Sequence, residues 1–367
     1  MGRSLIVGIA LGVALLQIGC GGGTLSGGGG GSAGTSAGAG GSVILTGMGG
    51  SVAPTGAGGW GDPFTECSRP QPATAVPPNF LIALDTSLAM NAVACATGCG
   101  TTSKWATAVD AIGATTRVTQ DIVNWGLQLF ADSTNVCGTI DAIGVPCGPG
   151  TAAQITAALA TRTASGDLTT PSNRPTRNAV ANATGDLAQQ TTASRSFVVL
   201  VTSGVPGCAA GASDPFADDS TATVQEIANA SNAGFQTFVV GLGTLDEAAQ
   251  ASLLNMAAAG GATLGAAGHT GYFAATTSGD LQTLLRSLVS DKAGCVFAVP
   301  PLTNELARRD AISVSVSGVG FPRDSTHTHG WDYADSTLET IELYGSACAA
   351  AKADFNPPVI RFLCPLV

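Results

Sequence analysis

Continuous apolar runs bounded by polar or turn residues mark this chain. Phe80 to Leu84 runs straight into Asp85, and Ser196 to Thr202 repeats the pattern, while Phe235 to Gly241 reads as a further strand whose apolar run is Phe238 to Val240. Trp125 to Phe130 and Gly271 to Ala275 are weaker versions. Such runs predict strands covered on both faces, as in a parallel sheet. Between them, apolar residues recur at helical spacing. Trp105, Ala108, Val109 and Ile112 do so within 104–120. Further helices are predicted over 152–164, 176–190 with Thr176 as N-cap, 221–233, 245–259 closing at Gly260-Gly261, and 279–292. Strands alternating with helices predict a doubly wound α/β domain over 79–294, its sheet mostly parallel with helices on both faces.

The pattern changes at both ends. Ile312, Val314 and Val316 alternate with Ser313, Ser315 and Ser317, which predicts one half-wet strand over 311–319. Short strands are expected at 331–333, 340–344 and 359–363, giving a small β-rich appendage over 295–367. Residues 134–149 read as a loop. At the other end, Arg3 precedes an apolar run from Leu5 to Leu16, the length of a signal-peptide core. Gln17-Ile-Gly-Cys20 resembles a bacterial lipobox, which implies a 1–19 signal peptide, cleavage before Cys20 and its acylation. An ordinary secretory signal is the alternative, and both export the chain. Residues 20–78 then form a Gly/Ser-rich tether and a proline-rich lead-in. A tether of this composition reaches roughly 35 Å.

Composition narrows the partners. A net charge of −10 and only 11% charged residues exclude a nucleic-acid footprint. Export favours disulfides. Setting Cys20 aside leaves nine cysteines, an odd number. The pairs expected are Cys348–Cys364, Cys137–Cys147 and Cys67–Cys295. Cys95–Cys99 is also possible, with Cys208 as an alternative partner for either. No spacing among them makes a zinc set.

Asp85 and Ser87 stand at the carboxyl tip of the first strand, where open α/β sheets place their ligands. The phrases around this tip, in order, resemble a von Willebrand factor type A domain over residues 79–290. Asp85-Thr-Ser-Leu-Ala-Met90 is similar to D-x-S-x-S-M, and Val198-Val-Leu-Val-Thr-Ser-Gly-Val-Pro206 to a strand ending in T-D-G-x-P. Phe235 to Gly243, Leu253 to Gly261, Tyr272-Phe273 and Asp280-Leu281 continue the order. Cys208, Gly330-Trp-Asp-Tyr and the late cysteines resemble exported Gram-negative lipoproteins that carry this domain.

The resemblance implies a metal ion-dependent adhesion site, and here it is degenerate. Asp85 and Ser87 match. Ala89 stands for the second serine, Arg174 for a threonine and Ser203 for an aspartate. One carboxylate and two hydroxyls are lost and a cation is gained, so the expectation is no cofactor, or at most a magnesium weakly held at Asp85 and Ser87. Two readings of Arg174 remain open. Its guanidinium either replaces the ion against Asp85 or points to solvent.

His327, His329, Asp324, Asp332 and Asp335 offer a surface metal set, with a polar loop as the competing reading. Asp214, Asp218 and Asp219 lack the spacing of a calcium loop, and a helix N-terminus explains the last two. No nucleophile elbow and no phosphate loop occurs. The functional expectation is a non-catalytic, lipid-anchored envelope domain at the outer membrane or cell surface. It would bind another protein in an adhesion or scaffolding role. The alternatives are a structural lipoprotein whose β appendage carries the interaction, and an exported hydrolase.

Overall fold

The computed structural model describes residues 64–66, 68–95, 101–131, 137, 143–165, 173–190, 194–265, 269–303, 305–353 and 357–365. The expected signal peptide, tether and acylated Cys20, with Cys67 and Cys99, lie outside these residues. In chain order, three short strands come first: β1 (Phe64–Glu66), β2 (Gln71–Pro72) and β3 (Thr74–Ala75). The α/β domain follows with β4 (Asn79–Asp85), α1 (Lys104–Thr119), β5 (Asn124–Phe130), β6 (Val145–Gly148), α2 (Ala152–Ser165) and α3 (Thr176–Leu187). It continues with β7 (Ser196–Thr202), α4 (Ser220–Asn232), β8 (Gln236–Leu242), α5 (Glu247–Ala259), the small hairpin β9 (Thr263–Leu264) and β10 (His269–Thr270), β11 (Tyr272–Ala275) and α6 (Ser278–Lys292). Last are β12 (Val296–Ala298), β13 (Ile312–Val316), β14 (Val319–Phe321), β15 (Gly330–Tyr333), β16 (Thr340–Tyr344), α7 (Gly345–Ala353) and β17 (Val359–Pro365).

The central sheet runs β11-β8-β7-β4-β5-β6. All its pairings are parallel except β5 with β6. Counted within the sheet, this is the doubly wound order, with its switch point between β4 and β7. Both strands are almost wholly buried because both faces are covered. Phe80, Ile82, Leu84, Val199 and Val201 pack under α1, α2 and α6. Leu81, Ala83, Val198 and Leu200 pack under α3, α4 and α5. A row of rings crosses the first face near the strands' amino ends. Phe80 lies 5.3 Å from Trp125 and 5.0 Å from Phe197, and Phe197 lies 5.8 Å from Phe238. Aromatic neighbours at this spacing add to area burial.

The β-rich part draws on both ends of the described chain. One sheet orders β1-β17-β13-β14, with β2 also on β17, and a second orders β15-β16-β12-β3. Strands from 64–75 therefore complete sheets built from 296–365. Their shared core includes Trp331, Phe297, Ile341, Phe362 and Ala347 of α7. Among the described residues, no helix is long and apolar enough to cross a membrane.

Four local expectations are corrected. Within 134–149, Val145–Gly148 is an antiparallel edge strand, not loop. The strand expected over 311–319 turns back at Ser317-Gly318, both with positive φ, into a two-residue hairpin. The appendage expected to be β-rich over 295–367 also holds a helix, α7, which carries Cys348. Thr176 is the first helical residue of α3, and Pro175 holds the N-cap place.

The expected disulfide pairs are also corrected. Cys137 bonds Cys208, and Cys295 bonds Cys348, with Cα–Cα distances of 5.5 and 5.2 Å. Neither Cys348–Cys364, Cys137–Cys147 nor Cys67–Cys295 can then form, and Cys208 is unavailable to Cys95 or Cys99. Cys95 and Cys364 are disulfide-bonded as well. Cys147 is a free thiol. It sits on β6 with its sulfur turned onto Gly126, where an added Cβ would come within 2.7 Å of it. That packing holds the thiol against the sheet, and burial raises its pKa far above the usual range.

Candidate functional site

The switch point brings together the carboxyl ends of β4 and β7. Strand β4 ends at Asp85 with no exposed surface. The chain then turns through Thr86 and Ser87 into a 3-10 turn at Leu88–Asn91 that buries Met90. This turn folds the Ser87 amide back onto Asp85 Oδ1, at 2.7 Å. The other oxygen, Oδ2, accepts from the Ser203 amide at 2.9 Å, the Ser203 hydroxyl at 2.6 Å and the Thr202 hydroxyl at 3.3 Å. The Ser87 and Ser203 hydroxyls lie 3.4 Å apart. A buried carboxylate is costly unless its lone pairs are filled, and here the protein's own donors fill them.

Lys104 is the first residue of α1 and is buried, at 7% exposure. Its Nζ donates to the Ser203 carbonyl at 3.4 Å. Its stem runs along Gly243, whose φ is +85° and where an added Cβ would fall 2.4 Å from Lys104 Cε. Glycine at 243 thus makes room for the lysine. Burial pushes the ammonium below the usual lysine range; Asp85 pulls it back up, and the Arg174 charge pushes it down further.

Arg174 is half-buried on the neighbouring loop. Its Nε donates to the Val205 carbonyl at 2.7 Å, and its guanidinium lies against Gly204. The loop after β7 is wrapped on the segment that carries Arg174. Gly207 N donates to the Arg174 carbonyl, and the Asn173 side-chain amide donates to the Pro215 carbonyl. The Cys137–Cys208 bridge clamps the same loop, with Cys208 at φ +68°.

The residues singled out in the sequence thus converge, with two changes. Arg174 neither pairs with Asp85 nor projects free into solvent; it is held on the Ser203–Val205 run. The cation next to Asp85 that the sequence reading missed is Lys104. Its signal was available. Lysine and arginine together number only 15, and this lysine opens a helix directly beyond the Asp85 loop. Ala89 lies in the 3-10 turn, half-buried, and offers a methyl where an oxygen would be needed.

The donor set does not fit a divalent ion. It holds one carboxylate, both of whose oxygens are taken, and a buried ammonium shares Ser203 with it. Among the described residues, no group of three or more His, Cys, Asp or Glu side chains is placed to hold a metal. That includes the 324–335 loop, where Asp324 accepts the amides of Thr326, Thr328 and His329. His327 stacks on Tyr344, and Asp332 pairs with Arg323. In the acidic loop, Asp219 stands at the start of α4 paired with Arg177, at 2.9 Å.

No family model matches the chain, and no curated protein matches it. Three solved structures illustrate what the chain is similar to in shape. The pilus adhesin SpaC from Lactobacillus rhamnosus GG is 14% identical over 80% of this chain and 40% of that one, with a TM-score of 0.44. The PilB minor pilin from Streptococcus sanguinis is 14% identical over 59% of this chain and 61% of its own, at 0.42. The manganese-loaded TRAP protein of Plasmodium vivax is 13% identical over 73% and 90%, at 0.45. The chain spans well under two thirds of the adhesin's length.

Proposed function

We propose that this is an exported, non-catalytic protein-binding domain with an adhesion or scaffolding role, held to the outer membrane or cell surface through acylated Cys20. Binding uses the loops at the carboxyl end of the central sheet, around Asp85–Asn91, Asn173–Thr176 and Ser203–Asp219. It proceeds without a metal ion. The observation that carries this reading is the saturation of Asp85. Its two oxygens accept four hydrogen bonds from Ser87, Thr202 and Ser203. An ion would have to displace these donors and settle beside the Lys104 ammonium. The disulfides support an oxidising compartment.

The test is thermal unfolding with excess magnesium, with manganese and with EDTA. One midpoint in all three supports the reading, and a metal-dependent rise overturns it. Metabolic labelling with a clickable fatty acid, comparing wild type with Cys20→Ala, tests the anchor.

A second reading puts the interaction on the β-rich part. It is favoured by a cavity of about 360 Å³ lined by Arg195, Phe235, His327, Tyr333, Glu342 and Tyr344, where the α/β domain meets the later strands. Substitution of Tyr344 that abolishes partner binding, with substitutions at 174 and 205 silent, would select it.

A further inference from the structure

The cations at the switch point are left with unused donors. Lys104 has three N–H groups and makes one hydrogen bond, a long one of 3.4 Å. Arg174 has five side-chain N–H groups and uses one, Nε. Neither is in an ion pair among the described residues. Asp85 acts on Lys104 through its charge but hydrogen-bonds neither cation, because its oxygens are turned to Ser87, Thr202 and Ser203.

Both cations are anchored on the same short run. Lys104 reaches the carbonyl of Ser203, and Arg174 reaches the carbonyl of Val205 and lies along Gly204. Two residues of backbone span at most ~7 Å, so the two anchoring carbonyls stand close together at the end of β7. The guanidinium lies along the bare backbone of Gly204. A side chain there would stand at van der Waals distance from the guanidinium, 3.7 Å from Cζ. Lys104 is fixed by its Gly243 channel and Arg174 by its Val205 bond, so neither needs reordering to receive a ligand. At this spot two cations stand against the one carboxylate of Asp85, in a chain whose net charge is −10.

We infer that Lys104 and Arg174 form a carboxylate-binding pair that takes an acidic side chain of a partner protein directly, with no ion between them. The half-exposed guanidinium makes the outer contact through its terminal nitrogens. The buried ammonium supplies the inner donor and the local charge. This inference rests on the metal-independent reading above and names the partner chemistry of the same site, an exposed Asp or Glu. A planar guanidinium suits a carboxylate through two parallel N–H donors.

The experiment is an NMR titration of the protein labelled with 15N and with 13C-lysine. The probes are sodium acetate and acetyl-glutamate methylamide, at constant ionic strength set with sodium chloride, in EDTA. The expected result is saturable shifts at the Ser203, Gly204 and Val205 amides and at Lys104 Cε. The dissociation constant should rise at least about tenfold in Arg174→Gln and in Lys104→Met. Arg174 is half-exposed, so its variant keeps the test sound should Lys104→Met unfold. Unshifted amides in wild type, equal affinity in the variants, or the same shifts from chloride alone would overturn the pair while leaving metal-free binding standing. Shifts that require added magnesium would overturn both.

Discussion

Ser203 gives Asp85 two hydrogen bonds to one oxygen, from its backbone amide at 2.9 Å and its hydroxyl at 2.6 Å. This locks the end of β7 to the end of β4 where the sheet reverses its winding. Ser203→Ala removes one charge-assisted bond and should cost about 1.5–3 kcal/mol. Asp85→Ala strands the Ser87 and Ser203 amides and the Ser203 and Thr202 hydroxyls in a buried site. It should cost more, about 3–5 kcal/mol. Urea midpoints at fixed slope measure both. Equal losses would mean that the carboxylate is not the hub of the site.

The fold was legible because its signal was local. Phe80 to Leu84 and Phe197 to Val201 are apolar without interruption, and short runs of that length between polar residues read as strands covered on both faces. Asp85, Ser87 and Ser203 were legible as neighbours because strand tips meet at a switch point. The orientation of Arg174 was not. A guanidinium chooses among nearby carbonyls and carboxylates, and the choice of Val205 depends on how the loop after β7 folds over residues 173–176. The edge strand at Val145–Gly148 was hidden by Pro146 and the flanking glycines, which read as turn residues. The cysteine pairs were hidden for a topological reason. Cys137 and Cys208 are 71 residues apart and meet only once β5 and β7 share a sheet. Nothing in their spacing encodes that.

Lys104 makes stability depend on pH in a predictable direction. Its pKa is lowered in the fold, chiefly by burial, while the unfolded chain keeps the ordinary value near 10.5. Between those two values the unfolded state binds more protons, so Lys104 makes stability rise with pH across that window. Below the folded pKa the lysine is charged in both states and contributes no slope. Asp85 and Arg174 are the charged groups that act on it. Comparison with Lys104→Met cancels other titrations, including the raised Cys147 thiol, which acts in the opposite sense. The stability of wild type minus that of the variant should climb as pH approaches 10.5. A flat difference would place the ammonium in contact with water.

The covalent frame makes a separate prediction. Peptide mapping without reduction should recover Cys137 linked to Cys208 and Cys295 linked to Cys348. Cys147 should react with iodoacetamide only after unfolding, since it is packed on Gly126 and kept protonated by burial. The double variant Cys137→Ser/Cys208→Ser should lose roughly 2–4 kcal/mol, because the bridge closes a long loop. Recovery of a Cys137–Cys147 peptide would refute this frame.

Restoring the oxygens that the resemblance implies tests whether Lys104 itself excludes an ion. Ala89→Ser, Arg174→Thr and Ser203→Asp together return two hydroxyls and one carboxylate to the switch point. An aspartate at 203 would stand against Asp85 with the Lys104 ammonium bonded to its own backbone carbonyl. That ammonium would neutralise the added charge without a metal, so the triple variant should show no magnesium-dependent rise in its unfolding midpoint. Adding Lys104→Ala leaves two buried carboxylates with no internal cation, an arrangement that holds only with a proton or a divalent ion between them. The quadruple variant should therefore be unstable in EDTA and gain stability with magnesium in a saturable way. Magnesium stabilisation of the triple variant would show that the lost oxygens alone, and not the lysine, keep the ion out.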